Sequence, residues 1–567
     1  MSTFLQKNKI TLILGLFILI GIVFRFYNLN WGAPYYFHPD ERNIASAITQ
    51  LQFPNQMNPN FFAYGSLPIY IVYFSGIIYN YLLSAMVGHW SLDIGHLGSV
   101  SFEQAIIGLR ILSATLSVLL IPLFYLTGKK LKSEATGIVL AFFALTSIGF
   151  IQYSHFGTYE MFLTFFTALL FLLCLHYLSN PTKINLLYIS IISGILISSK
   201  VTNLALLPIP IFIIFLHNDR SLKISHWKLI ENWKLIMRNS VLSFCFLLFT
   251  FFIFFVTNPY TFLDFSSFHG SMTYESNVAL GSEPVFYTGE FFNTIPVVFQ
   301  AQHVFPFLLT PFLILFILPA LGYVFVKAIK PWNKSYILLF IFLAITFIPQ
   351  AFFFVKWTRY MVPTLPFFYC ILAIFFIDAL EYLQKKIPHT HYKQISKIGL
   401  GVGSFISLIY AFAFFMTVYI EPDTRVAAEQ FAKKHISSHA PIVSEVYDLG
   451  ITSFNADFNN ISLFNFYDLD NNSPESSPET LADKLKITDY IILPSQRILK
   501  VRLQQPEKFP NGNAFYTQLL DGKLGFQKIY ETPCDIWCTI TYAGNPVFSY
   551  EETANVFDRP EVLIFKK

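Results

Sequence analysis

The stretch KITLILGLFILIGIVFRFYNL, residues 9–29, is apolar over the length needed to cross a bilayer, and ten comparable runs follow it. They lie at about 106–127, 136–153, 159–178, 184–199, 202–217, 240–257, 304–326, 335–354, 360–380 and 399–420. Spanning the hydrocarbon core takes about 20 residues. Inside it every backbone N–H and C=O must be satisfied within the protein, so such runs become helices. The chain is therefore read as an all-α polytopic membrane protein of about eleven transmembrane helices. Its composition agrees: 54% hydrophobic and 13% charged, against roughly 25% charged in an ordinary soluble domain.

Charge divides the 567 residues in two. Residues 1–420 carry a net charge of +10, and residues 421–567 carry −6. With the N-terminus inside, 18 of the 24 basic residues before 421 fall in inner loops, while the loop from about 258 to 302 contains none. The bias of Lys and Arg toward the cytoplasm then puts the N-terminus in and the C-terminal part out. A further apolar run, SLPIYIVYFSGIIYNYLLSAMV at 66–87, breaks this parity if it crosses. It is read as a helix in the outer interface. The first run lacks a small-residue cleavage site and is read as a retained span.

After Glu421 the pattern changes. DTRVAAEQFAKKHI reads as a capped amphipathic helix, and SPETLADKLK as a second with Pro478 at its first position. PIVSEV, DYIIL, CTITYA and VLIF read as strands. Residues 421–567 are expected to form a small extracytoplasmic α/β domain, and residues 1–420 the membrane domain. Cys534 and Cys538 in PCDIWC are either a local disulfide or free thiols.

The chemistry-bearing residues gather at the outer ends of spans. Ionisable groups there are expensive and usually face a cavity. In YYFHPDERNIASAITQL, Pro39 opens a helix and Asp40 and Glu41 follow. Two readings stand together: acids complementing a helix N-terminus, and a general base for an attacking hydroxyl. Glu160 opens the fourth span in YSHFGTYE, and Lys200 sits in SSKVTN, either snorkelling or contacting phosphate. Lys356, Arg359 and Tyr360 lie in VKWTRYMVPTLP, as interfacial anchors or as a phosphate site suited to Arg. The long loop NPYTFLDFSSFHGSMTYESNVALGSEPVFYTGEFF reads as an ordered lid.

In this order HPDE, YSHFGTYE, SSKVTN, NPYTFLDF and TRYMVPTLP resemble the GT-C membrane glycosyltransferases over roughly residues 10–420. The nearest branch resembles bacterial relatives of the protein O-mannosyltransferases and the aminoarabinose–lipid A transferases. The resemblance implies inverting transfer of a sugar from a polyprenyl-phosphate donor to an envelope acceptor (protein, lipid or polysaccharide) on the outer face of the cytoplasmic membrane. It maps the catalytic acidic pair onto Asp40 and Glu41, a second acid onto Glu160, and the basic residue of an R-Y-x-x-P motif onto Arg359, with Tyr360 beside it. Asp40 is expected to be the base, with Glu41 or Glu160 orienting the acceptor or holding a cation. Lys200, Lys356, Arg359 and Tyr360 are expected around the donor phosphate. His38, His155, Asp264, His269, Tyr274 and Glu275 are expected in the acceptor or lid region. Where lipid A-modifying members have a Lys before Pro, this chain reads YGSLP at 64–68, so that phosphate contact must come from elsewhere, Tyr64 included. No metal, cofactor or nucleic acid is expected; the lipid bilayer is the surrounding partner. The competing classes are a lipid-linked sugar flippase or transporter, which tends to show two similar halves, and a non-catalytic membrane subunit.

Overall fold

The computed structural model describes residues 2–86, 98–217, 233–283, 285–330, 332–386, 389–446, 457–471 and 473–567. Arg220, Lys223 and Lys228 of the inner loops lie outside the described residues.

The chain begins with α1 (Ser2–Phe26), then α2 (Pro39–Thr49), α3 (Leu67–Met86) and α4 (Phe102–Leu131). A capping box of Ser101 and Gln104 starts α4, satisfying two of the amide donors that a helix start leaves open. A broken pair follows, α5 (Glu134–Thr146) and α6 (Ile148–Ser154), bent by 51°. Then come α7 (Glu160–Ser179), α8 (Lys183–Ile197), a 3-10 turn at Val201–Leu206, α9 (Pro208–His217) and α10 (Trp233–Thr257). The long connection after α10 holds α11 (Phe265–Leu280). It leads to α12 (Pro311–Ile329), α13 (Lys334–Phe352), α14 (continuous over Thr358–Lys386) and α15 (His389–Phe415).

Among the described residues nine helices are long and apolar enough to cross a membrane, or ten if the bent pair counts as one span. The protein is a multi-pass membrane protein. Every expected run has a helical counterpart, but the runs at 184–199 and 202–217 form helices of at most 17 residues, below that length test. The run at 66–87, read as interfacial, gives the 20-residue α3, which meets the spanning length by itself.

The backbone is extended at Ser147, which ends α5 and caps α6, and a buried cation bonds to the carbonyls just before this break. Arg25, fully buried, donates to the carbonyl of Ala144 at 2.5 Å and to Ser117 Oγ at 2.7 Å. The last carbonyls of α5, orphaned at its end, satisfy a buried cation without a carboxylate. At the opposite ends of the helices Asp378 accepts from Lys132 and Lys327, both at 2.8 Å.

The C-terminal part has α16 (Thr424–His435), α17 (Pro478–Lys486), α18 (Arg497–Gln504), α19 (Pro510–Leu520) and α20 (Ile536–Tyr542) around one five-stranded sheet. Its strands are β1 (Ile442–Glu445), β2 (Ile461–Phe464), β3 (Tyr490–Leu493), β4 (Gln527–Glu531) and β5 (Leu563–Lys566), in the order β2-β1-β3-β5-β4. The pairs β1–β2 and β1–β3 are parallel; β3–β5 and β4–β5 are antiparallel. Asp423 caps α16 as expected, Pro478 opens α17 as expected, and Ser477 caps it.

CTITYA is a correction: it is helical in α20. Asp535 caps it by accepting from the Cys538 amide at 2.9 Å, and the Cys534–Cys538 disulfide closes its first turn. Trp537 packs edge-on to Phe412 of α15 at 5.5 Å. Tertiary packing overrides the β-branched propensity of the run.

The main hydrophobic core runs without interruption from the helices into Cys538, Tyr542, Tyr550 and Ala554. Residues 538–557 thus contribute to the core of the membrane helices, while two smaller cores, which take in Val562–Phe565, flank the sheet.

Candidate active site

The site begins at the first turn of α2. Pro39 presets the helical backbone angle, and His38, in extended conformation, precedes it. Successive helical residues point about 100° apart, so Asp40 and Glu41 cannot face the same surroundings.

Glu41 turns inward and is fully buried. Arg110 of α4 forks onto it: Nη2 pairs with Oε1, and Nε donates to Oε2 at 3.0 Å. Oε2 also accepts from the Gly157 amide at 2.9 Å. The remaining Arg110 nitrogen donates to the carbonyls of Leu29 and Trp31 at 2.7 and 2.9 Å. Both Glu41 oxygens are occupied and water has no access. The expectation that Glu41 orients an acceptor is corrected here: it ties α2, α4 and the turn before α7 together.

Asp40 points the other way and pairs with Arg359 in the first turn of α14. Burial alone would raise its carboxyl, but the Arg359 guanidinium, and after it His38, outweigh this and hold it below the usual carboxylate range. Arg359 also lies over the rings of Trp357 and Tyr360, 4.4 and 5.6 Å from their centroids. Arg359, Tyr360, Lys200 and Tyr64 form one end of a cleft, and Glu275 of α11 lines it as well. The Lys200 ammonium sits 4.8 Å from the Tyr360 ring and 5.7 Å from that of Tyr64. Burial draws it below the ordinary lysine range, against the attraction of Glu160. Among the described residues it has no carboxylate within ion-pair distance, so its charge is open to an incoming anion. Glu160 is buried at the start of α7, close enough to Arg359 and Lys200 to feel both charges. The rest of the cleft is mixed: Phe62, Phe254, Phe268 and Met272 are among its apolar walls, with Ser66, Thr202, Asn258, Thr261, Ser276 and Gln350 between them.

Four of the quoted motifs are laced together at this cleft. The Gly65 amide donates to Ser199 O at 2.9 Å, and the Ser66 amide to Asn258 Oδ1 at 2.5 Å. Asn258 Nδ2 donates to Ser198 O at 3.2 Å, and the Tyr159 hydroxyl to Gly65 O at 2.6 Å. A Cβ on Gly65 would fall on the Ser198 carbonyl. Glycine is required for backbone to approach backbone this closely, and the approach sets Tyr64 beside Lys200.

The other expected residues lie apart. His38 is buried between Phe557 and Phe156, with ring centroids 4.2 and 4.6 Å away, and burial pushes its imidazole down to about 4. His155 stacks on Tyr419 at 3.6 Å and is spent on the carbonyls of Ile151 and Tyr27. Lys356 donates to Phe354 O at 2.9 Å and does not line the cleft, a correction to its place at the phosphate. Asp264 caps α11 and accepts from Asn58 at 3.2 Å. His269 and Tyr274 are carried on α11 without lining the cleft. Sequence reasoning missed Arg497, whose charge reaches Asp40 from the C-terminal part and which pairs with Glu552 at 3.3 Å. Among the described residues no three His, Cys, Asp or Glu side chains are grouped to hold a metal ion.

Residues 84–258 match the family model described as dolichyl-phosphate-mannose-protein mannosyltransferase. That segment includes Glu160 and Lys200 and leaves Asp40 and Arg359 on either side. The oligosaccharyltransferase AglB of Archaeoglobus fulgidus, solved with an inhibitory peptide and a dolichol-phosphate, aligns over 99% of this chain and 89% of its own at 13% identity, with a TM-score of 0.50. ArnT from Cupriavidus metallidurans, bound to undecaprenyl phosphate, aligns over 98% of both chains at 11% identity, with a TM-score of 0.44. No curated protein sequence matches the chain significantly. The chain therefore has the fold of the GT-C membrane glycosyltransferases, the family its motifs resemble.

Proposed function

We propose that this protein is an inverting glycosyltransferase. It moves a sugar from a polyprenyl-phosphate donor to a hydroxyl of an envelope acceptor, on the outer face of the cytoplasmic membrane. The observation that carries the reading is the two-faced cleft. Cations and phenols stand together, aromatic and aliphatic side chains make up much of the remaining wall, and the Asp40 carboxylate is held on Arg359. A phosphate joined to a long hydrocarbon has the same two faces. On this reading the N-terminus is cytoplasmic, and residues 421–567 form the extracytoplasmic domain.

Asp40, kept ionised, takes the proton from the acceptor hydroxyl as its oxygen bonds to the anomeric carbon. The bond from that carbon to the phosphate oxygen breaks, its electron pair leaves with the lipid phosphate, and in-line displacement inverts the centre. Arg359 and Lys200 neutralise the charge that grows on the departing phosphate, where a dry site makes them most effective. Tyr64 and Tyr360 frame it, and Glu160 orders the cations from behind. α11 carries Glu275 over the cleft as part of the lid.

Purified full-length protein with labelled polyprenyl-phosphate sugars and envelope extract tests this. Label entering a product with wild type and not with Asp40→Asn is the expected result. Lipid-linked sugar crossing proteoliposomes without turnover would instead favour the flippase reading.

A further inference from the structure

Both partners of the Asp40–Arg359 pair are held from behind by one segment of the C-terminal part, residues 551–557. Arg359 is the second residue of α14, and the preceding Trp357 offers no side-chain cap. The cap comes from 193 residues away: Glu551 Oε2 accepts from the Thr358 amide at 2.9 Å. The Glu551 carboxylate is fully buried and also accepts from the Thr553 hydroxyl. Its own amide donates to His303 O at 3.0 Å.

The neighbouring residues anchor this segment further. The Glu552 amide donates to Glu290 Oε2 at 3.0 Å, and Glu290 Oε1 takes Lys500 Nζ at 2.5 Å. Six residues after Glu551, the Phe557 ring seats His38, two residues before Asp40. A carboxylate at a helix start both fills an open amide and complements the helix dipole. Here it also fixes where the first turn of α14 begins, and with it the origin of the Arg359 side chain.

We infer that Glu551 is a positioning residue: by capping Thr358 it sets the Arg359 guanidinium where it meets Asp40 and the phosphate of the donor. The inference rests on the site proposed above. A role in folding alone would lower the amount of intact protein and leave the affinity of each intact molecule unchanged. Positioning changes that affinity.

The test uses undecaprenyl phosphate binding by full-length protein in detergent, with amide hydrogen exchange over residues 357–362. Glu551→Ala should weaken binding about tenfold and speed exchange in that peptide. Glu551→Gln, which keeps an oxygen for the Thr358 amide, should recover most of both. Thr358→Pro removes the donor amide while proline suits a first helical position. It should weaken binding as Glu551→Ala does, and the double variant should be no worse than either. It also serves if Glu551→Ala does not fold. Wild-type affinity and exchange in Glu551→Ala, or in Thr358→Pro, would overturn the inference. So would a Glu551→Gln protein as weak as Glu551→Ala. If wild type itself ignores undecaprenyl phosphate, the donor class proposed above fails, and the exchange comparison still decides whether Glu551 holds the start of α14.

Discussion

Glu41 with Arg110 and Asp40 with Arg359 are both carboxylate–guanidinium pairs built on the first turn of α2, and their surroundings differ in every other respect. Around Glu41 both partners are 0% exposed and each carboxylate oxygen is bonded. Around Asp40 the two side chains keep 26% and 18% exposure, and Arg359 of the pair lines a cleft. A pair without access to water or ligand can hold helices together and do nothing else. A pair at the edge of a cleft can exchange its partner for a substrate group. The difference separates structure from chemistry better than residue type does.

Neutralising each carboxylate in turn is the sharpest way to break this comparison. Asp40→Asn keeps the shape and removes the base. Transfer should fall by about 10²–10⁴-fold, while thermal unfolding stays within a few degrees of wild type. Equal turnover by the two proteins would move the base elsewhere, with Glu160 next in line. Glu41→Ala should do the reverse. It leaves the Arg110 charge buried without its partner, which costs about 3–5 kcal/mol, so the loss should appear in the melting curve and in the yield of folded protein. The protein that does fold should keep its turnover. A Glu41→Ala protein with wild-type melting and abolished turnover would give Glu41 the catalytic part after all.

That contrast was beyond the reach of the sequence, where Asp40 and Glu41 are neighbours with one motif between them. Their divergence depends on Arg110, 69 residues away, and Arg359, 319 residues away. The membrane helices were legible because an apolar run of bilayer length has one stable outcome in lipid. The capped helices α16 and α17 were legible because the cap and the helix are adjacent in sequence. The strands β2 and β4 were not: both are edge strands, partly solvated, with no clean apolar alternation in ISLF or QKIYE. Arg25 went unremarked because its partners are the carbonyls of a helix end, to which any sequence contributes, and a serine 92 residues away. Glu551 carried no motif, and its meaning lies wholly in the distant residues it touches.

A smaller effect sharpens the open side of the comparison. Gly65→Ala places a methyl group against the Ser198 backbone carbonyl, and overpacking of this kind costs about 1–3 kcal/mol. The lacing of YGSLP to SSKVTN should loosen, shifting Tyr64 and Lys200 apart. Undecaprenyl phosphate binding should weaken more than stability falls. A variant that loses stability and keeps its affinity would place this junction with the sealed region instead.

A last effect concerns pH, and it tests whether the junction behind Arg359 is sealed as tightly as the Glu41 pair. Burial pushes the Glu552 carboxyl up to about 8; Arg497 opposes this, and Glu290 and Glu551 add to it. Its value in the unfolded chain lies near the ordinary 4.5. Between those two values the folded protein binds more protons at this position than the unfolded chain does. The contribution of Glu552 to stability is therefore present at low pH and declines as pH rises from about 4.5 through about 8. Glu552→Gln, neutral at every pH, should flatten that slope when melting is followed across the same range. An unchanged slope would mean that water reaches this carboxyl, and that the junction is open rather than closed like the Glu41 pair.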